Sequence, residues 1–173
     1  MQKIQKPAEG EYAPYAIIYI DLVPPDGLVI SHLQDNLHST PGFIRSFQLE
    51  KLATPWKPGE WTIQEILLHI LDTERIFCYR ALRFARNDAA GLAGFEQDDY
   101  VPYSAANQRT LAATLEESAA VRRSTLAFFE SLDEAALLRS GQVGGNLVSV
   151  RALAWMIAGH ELHHIHSIRE NYS

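Results

Sequence analysis

The chain of 173 residues carries one cysteine, Cys78, so no intramolecular disulfide can form. That fits a reducing compartment and a cytoplasmic address, and Cys78 itself reads as a small hydrophobe on a helix. Positive charge is scarce too. Fifteen Lys and Arg stand against twenty-one Asp and Glu, a formal net charge of −6, and no basic cluster relieves the balance. A nucleic-acid partner is not expected, because phosphate backbones are gripped by patches of Lys and Arg. The apolar stretch Ala13 to Ile20 is too short to span a bilayer and contains Pro14, so no membrane association is expected. The opening MQKIQKPAEGEY has neither the apolar core nor the small-residue cleavage site of a secretory signal. Repeats and low-complexity tracts are absent. What is present, 47% hydrophobic residues, is enough for one cored domain over residues 1–173.

Pro7, Pro14, Pro24 and Pro25 punctuate the start of the chain, so residues 1–27 read as an irregular arm packed against the domain. From Leu28 to about Leu52 apolar residues recur at helical spacing, which predicts a first helix kinked or broken at Pro41. The turn ATPWKPGEW follows. Thr62 and Glu65 form a capping-box signature, and behind them Ile66, His69, Ile70, Thr73, Phe77 and Phe84 make one face of a second helix reaching about Arg86. A third helix is predicted from Gln108 to Ser131, with Asp133 capping a short extra helix that ends before Gly141. After a turn at QVGGN, Ser149 caps a fourth helix with the stripe Leu153, Ile157, His160, His164 and Ile168. The fold class is therefore all-α, a helical bundle. Between the second and third helices lies the long Gly-, Asp- and Pro-rich connection from Asn87 to Asn107, a length that marks a crossover or a functional loop.

The string HELHHIH concentrates four of seven histidines at one place. His160 and His164, four apart on a helix, stand one above the other and can reach a common point. An i, i+4 imidazole pair is a ready ligand pair for zinc, nickel or iron and needs its remaining ligand from another element. His69, in the middle of the apolar face of the second helix, is the candidate. His163 and His166 point away by about 100° or more and read as surface or interface residues. At about 1.5 Å per residue, His69 lies roughly 10 Å in from the start of the second helix, and His164 and His160 about 9 to 15 Å in from the end of the fourth. Antiparallel packing of those two helices brings all three level. It also requires the second and third helices to run the same way, which the long connection permits. The string matches H-E-x-x-H as well, which in a zinc protease would make Glu161 the general base. Only residues 165–173 follow, however, with Ser167 and Glu170 where a downstream ligand would be sought.

Three stretches, KPGEWTIQEILLHILDTERIFCYRALRFARND, GFEQDDYV and GGNLVSVRALAWMIAGHELHHIHSIRE, together with the arm PYAIIYIDLVP, resemble the DinB/YfiT-like superfamily of metalloenzymes, in its YfiT branch. The resemblance covers nearly the whole chain. It implies a four-helix bundle of up-down-down-up order, often a homodimer, with a divalent metal on three histidines that fall here at His69, His160 and His164. Relatives of this kind include transferases and isomerases that use low-molecular-weight thiols such as bacillithiol or mycothiol, and the YfiT branch has been described as hydrolytic. One fold thus hosts several chemistries.

Three protein ligands leave a coordination position open for water or a small-molecule substrate. The reading preferred from the sequence is a thiol-dependent S-transferase, because a cation beside a thiol favours its reactive ionised form. Metal-assisted hydrolysis is the alternative, with a water whose pKa falls to about 7. A non-enzymatic metal-binding or interaction module is the third. Weaker site candidates are Asp72, three residues after His69 and able to orient its ring or to pair with Arg75; Arg80, able to hold an anion; and Tyr100 and Tyr103, able to line the mouth of the site.

Overall fold

The computed structural model describes residues 3–88 and 90–172. In chain order the helices are α1 (Ile17–Ile20), α2 (Val29–Ile44), α3 (Leu49–Leu52), α4 (Ile63–Ala85), α5 (Gln97–Tyr100), α6 (Leu111–Glu130), α7 (Glu134–Leu138) and α8 (Val150–Tyr172). A hairpin of β1 (Ser140–Val143) and β2 (Asn146–Ser149) precedes α8. Among the described residues, no helix is long and apolar enough to cross a membrane.

Side-chain pairs fix the direction of the four long helices. On α4 and α6, Gln64 bonds the carbonyl of Arg109, Glu74 meets Arg122 and Cys78 meets Thr125, so these two run in parallel. Along α2 and α8, Asn36 meets Glu161 and Phe43 meets Arg169, again parallel. Tyr172, near the end of α8, donates its hydroxyl to the carbonyl of Trp61 just before α4, which sets α4 and α8 antiparallel. The order is up-down-down-up, and the chain from Asn87 to Asn107 is the crossover. It carries α5 and two short 3-10 turns, and Leu92 lays it along the hairpin edge by exchanging backbone bonds with Gln142 and Gly144.

Local chemistry explains most element ends. Thr62 accepts from the Glu65 amide while Glu65 accepts from the Thr62 amide, the reciprocal cap expected at the start of α4. Asp133 and Ser149 accept from the amides of Ala136 and Ala152. The expectation for the first helix, kinked or broken at Pro41 and running to about Leu52, needs correction: it is not broken at Pro41 and does not reach Leu52. Pro41 sits inside α2, one turn from its end. The helix stops after Ile44 because the amides of Ser46 and Phe47 tighten onto carbonyls three residues back, and Ser46 Oγ also donates to the Phe43 carbonyl. The segment around QVGGN is more than a turn. Gly144 and Gly145, with φ of 53° and 84°, both take the left-handed conformation that closes a two-residue hairpin. The arm also holds a helical turn, α1, which lies so close on α8 that a Cβ at Gly159 would stand 2.0 Å from the Tyr19 carbonyl oxygen.

A small apolar cluster around Leu68 and Leu71 and two large ones fill the bundle. One gathers Phe77, Phe84, Phe129, Leu153 and Trp155, whose indole N–H donates to the Ile4 carbonyl at 3.0 Å. The other gathers Ile44, Ile63, Ile66, Ile165 and Ile168. Between them, on α4, α6 and α8, lies a layer of buried polar residues: His69, Thr73, Glu74, Arg122, His160 and Glu161. A layer of this kind interrupts apolar burial worth roughly 25 cal/mol per Å², so its members must satisfy one another or serve a ligand.

Candidate metal centre

Antiparallel α4 and α8 bring His69, His160 and His164 together in one half of the polar layer. Nε2 of His69 lies 2.9 Å from Nε2 of His160, which lies 3.1 Å from Nε2 of His164. The three rings meet edge to face, with centroids 4.5 to 4.8 Å apart. A neutral imidazole offers at Nε2 either a proton or a lone pair. Three such atoms facing one point cannot all be satisfied by each other, whereas one cation would accept a lone pair from each. Their candidate ligand atoms lie within 4.8 Å of one another, the compactness an ion with bonds of about 2.0–2.1 Å to nitrogen asks for.

Electrostatics favour the ligand form of these rings. Burial drives the pKa of His69 down to about 4 and, helped by its histidine neighbours, that of His164 to about 3. Burial first, then His164 and His69, push His160 well below the ordinary histidine value. All three are therefore neutral near pH 7 and ready to donate lone pairs. Thr73, one turn after His69, places its Oγ1 3.5 Å from Nδ1 of that ring, at the long limit of a hydrogen bond. The indole of Trp61 and the phenol of Tyr19 pack against His69 and His160 at 5.0 and 5.3 Å.

The other half of the layer belongs to Glu161. Its carboxylate accepts from Arg122 at 2.8 Å, from Asn36 at 3.1 Å and from Thr40 at 2.7 Å. Arg122 also grips Glu74 through two bonds of 2.9 Å and donates to the Leu33 carbonyl. Although burial opposes it, Glu161 and Glu74 hold the Arg122 guanidinium above its usual pKa. Glu161 is thus committed to a structural network on the far side of α8, and the H-E-x-x-H reading has no general base.

A cleft of about 500 Å³ opens against His160 and is lined by Tyr15, Tyr19, Phe77, Arg80 and Phe95 among others. Arg80 lines the same cleft as His160. Asp72 pairs with Arg75 at 3.5 Å rather than with the His69 ring, whose Nδ1 has Thr73 as neighbour. Tyr100 stacks on Phe95 and borders a small recess beside His69, while Tyr103 is 89% exposed and lines none of these spaces. His163 leans on Tyr19, and His166 is exposed. Cys78 contacts Thr125 Oγ1 at 3.2 Å, and burial pushes its thiol up to about 11, so it is inert as a nucleophile. Tyr19 and Trp61 escaped the sequence reading, since neither lies in a periodic stretch with a histidine. Thr73 lay on the His69 face at the i+4 position, a signal that could have found it.

The solved structure of YfiT from Bacillus subtilis, a probable metal-dependent hydrolase with an unusual four-helix bundle topology, superposes with a TM-score of 0.73. The match covers 95% of this chain and 90% of that one at 15% identity, and so establishes a common fold. No match is found among curated proteins. The sequence profile of the DinB superfamily matches residues 32–168, and it is to this superfamily that the chain belongs.

Proposed function

We propose that the protein is a metal-dependent enzyme acting on a small molecule, with the ion held by His69, His160 and His164, and that it is a thiol-dependent S-transferase. The observation that carries this reading is the convergence of three neutral imidazoles, one of which, His160, lines an open cleft. A divalent ion bound there supplies positive charge that favours the ionised form of a thiol or a water. The rest falls to the chain. Tyr19, Phe77 and Phe95 give the cleft an aromatic wall beside His160. The neighbouring carboxylate of Glu161 is occupied by Arg122, Asn36 and Thr40 and offers no free base to either a thiol or a water. A thiol, with a free pKa of about 8.5, ionises beside a cation without a protein base.

Hydrolysis is the second reading, favoured by the likeness to YfiT. Elemental analysis of untagged protein followed by calorimetric titration with cysteine, bacillithiol and mycothiol separates the two. The expected result is bound metal and thiol binding, both lost in His160→Ala. Metal-loaded protein that binds none of these thiols but turns over esters or amides would replace transfer by hydrolysis, and protein without affinity for metal would end both.

A further inference from the structure

Arg80 lies about three turns beyond His69 on α4, and only 6% of it is exposed. A guanidinium withdrawn from water normally meets an anion, because its desolvation is otherwise uncompensated. Arg122, equally buried, does so with two carboxylates. Arg80 does not. Among the described residues its hydrogen bond runs from Nη2 to the Ala93 carbonyl at 3.0 Å, and its flat faces meet the rings of Phe77 and Phe95 at 5.8 and 5.6 Å. One carbonyl uses one of five N–H donors, and the aromatic faces hold the guanidinium plane without neutralising it. Its neighbours on the cleft wall include Phe77, whose ring lies 6.2 Å from that of His160, so a small molecule lying over Phe77 would reach both.

We propose that Arg80 anchors a carboxylate or phosphate group of the molecule that reacts beside His160, making the substrate or its thiol partner an anion. The inference rests on the cleft being the substrate site. Among the described residues Arg80 is the one Lys or Arg lining this cleft, and the exposed Glu96 and Asp98 also border it. That balance suits a single anionic group placed at Arg80 and repels a polyanion at the rim. In a chain of net charge −6, a buried cation that has no carboxylate partner among the described residues is suited to binding an anion in this cleft.

The test uses succinate, inorganic phosphate and uncharged succinamide as probes, with metal-free and metal-loaded protein. The Nε–Hε resonance of Arg80 is followed by NMR and affinity by calorimetry. Succinate or phosphate should shift that resonance in both forms, the stronger of the two naming the anion, and succinamide should not. Affinity should fall about tenfold or more in Arg80→Gln and recover largely in Arg80→Lys, the scale of a lost charge-assisted bond. An Arg80 resonance that neither anion moves, or equal affinity in wild type and Arg80→Gln, overturns the proposal. Because the wild-type resonance is read directly, a variant that fails to fold does not shield it. Anion binding without metal binding would leave Arg80 as an anchor and remove the enzyme reading, whereas metal binding without an Arg80 shift would do the reverse.

Discussion

His160 and Glu161 are neighbours in sequence and nearly equally buried, at 3% and 5% exposure, yet they face opposite halves of the polar layer. On the Glu161 side every charged group has its partner: a guanidinium, two carboxylates, an amide, a hydroxyl and a backbone carbonyl close on themselves. On the His160 side three rings turn the same kind of nitrogen toward one another, Nε2 of His160 standing 2.9 and 3.1 Å from those of His69 and His164. The first half is complete without a ligand and ties α2, α4, α6 and α8 together. The second is a group of residues that could hold an ion. Burial alone therefore does not distinguish a structural polar group from a functional one, whereas the count of partners does.

The sharpest way to break this comparison is to empty the closed half. Arg122→Met should leave Glu74 and Glu161 without their shared donor and cost about 3–5 kcal/mol, read from urea unfolding midpoints. Glu161→Gln, which keeps an acceptor toward Asn36 and Thr40, should cost less and leave metal affinity nearly intact. If Glu161→Gln lost metal as severely as His160→Ala, the two halves would be one site and the division drawn between them would fail.

How much of this was legible depended on distance along the chain. The capping box of α4 was readable because Thr62 and Glu65 settle it between themselves. The pair His160 and His164 was readable because helical geometry alone joins them. His69 could be added because its apolar neighbours made an unpartnered imidazole conspicuous, and the crossover because residues 87–107 are too long for a tight turn. Assigning Glu161 to Arg122 needed α6, and placing Tyr19 beside His160 needed α1 to dock on Gly159, contacts no periodicity encodes. The same holds for Asp72, whose two possible neighbours differed only in which face of α4 each reached. The hairpin at Gly144 and Gly145 was legible as a turn but not as paired strands, because its flanks, SGQV and NLVS, are short and weakly alternating.

A smaller effect belongs to a third polar contact on α8, at its start. Glu11 of the arm accepts from Ser149 and Arg151, and its bond to Arg151, working against a burial penalty, lowers its pKa to about 2. Since the folded value lies below the ordinary carboxyl value, the contribution is full above the latter and is lost as pH falls toward about 2. Glu11→Gln should cost about 1–2 kcal/mol at pH 7 and flatten the acid limb of the stability profile, as thermal unfolding at stepped pH would reveal. An unchanged acid limb would mean the arm is held by α1 and Ile4 alone. Metal affinity should not move, since the contact lies about two turns or more from His160.

The smallest expected effect is at Thr73, and it sharpens the open half. Where an imidazole binds metal through one nitrogen, a partner at the other fixes its tautomer and orientation, and losing such a partner commonly weakens metal about 10–100-fold. Here the oxygen stands 3.5 Å from Nδ1, so its hold is weak. Thr73→Val keeps the shape of a side chain that is 2% exposed and removes only the hydroxyl. A loss of about tenfold or less, the lower end of that range, is expected by competition against a chelator of known affinity. A larger loss would mean that α4 draws Thr73 closer once the ion is bound, and that the His69 ring owes its direction to this hydroxyl rather than to the packing of Trp61.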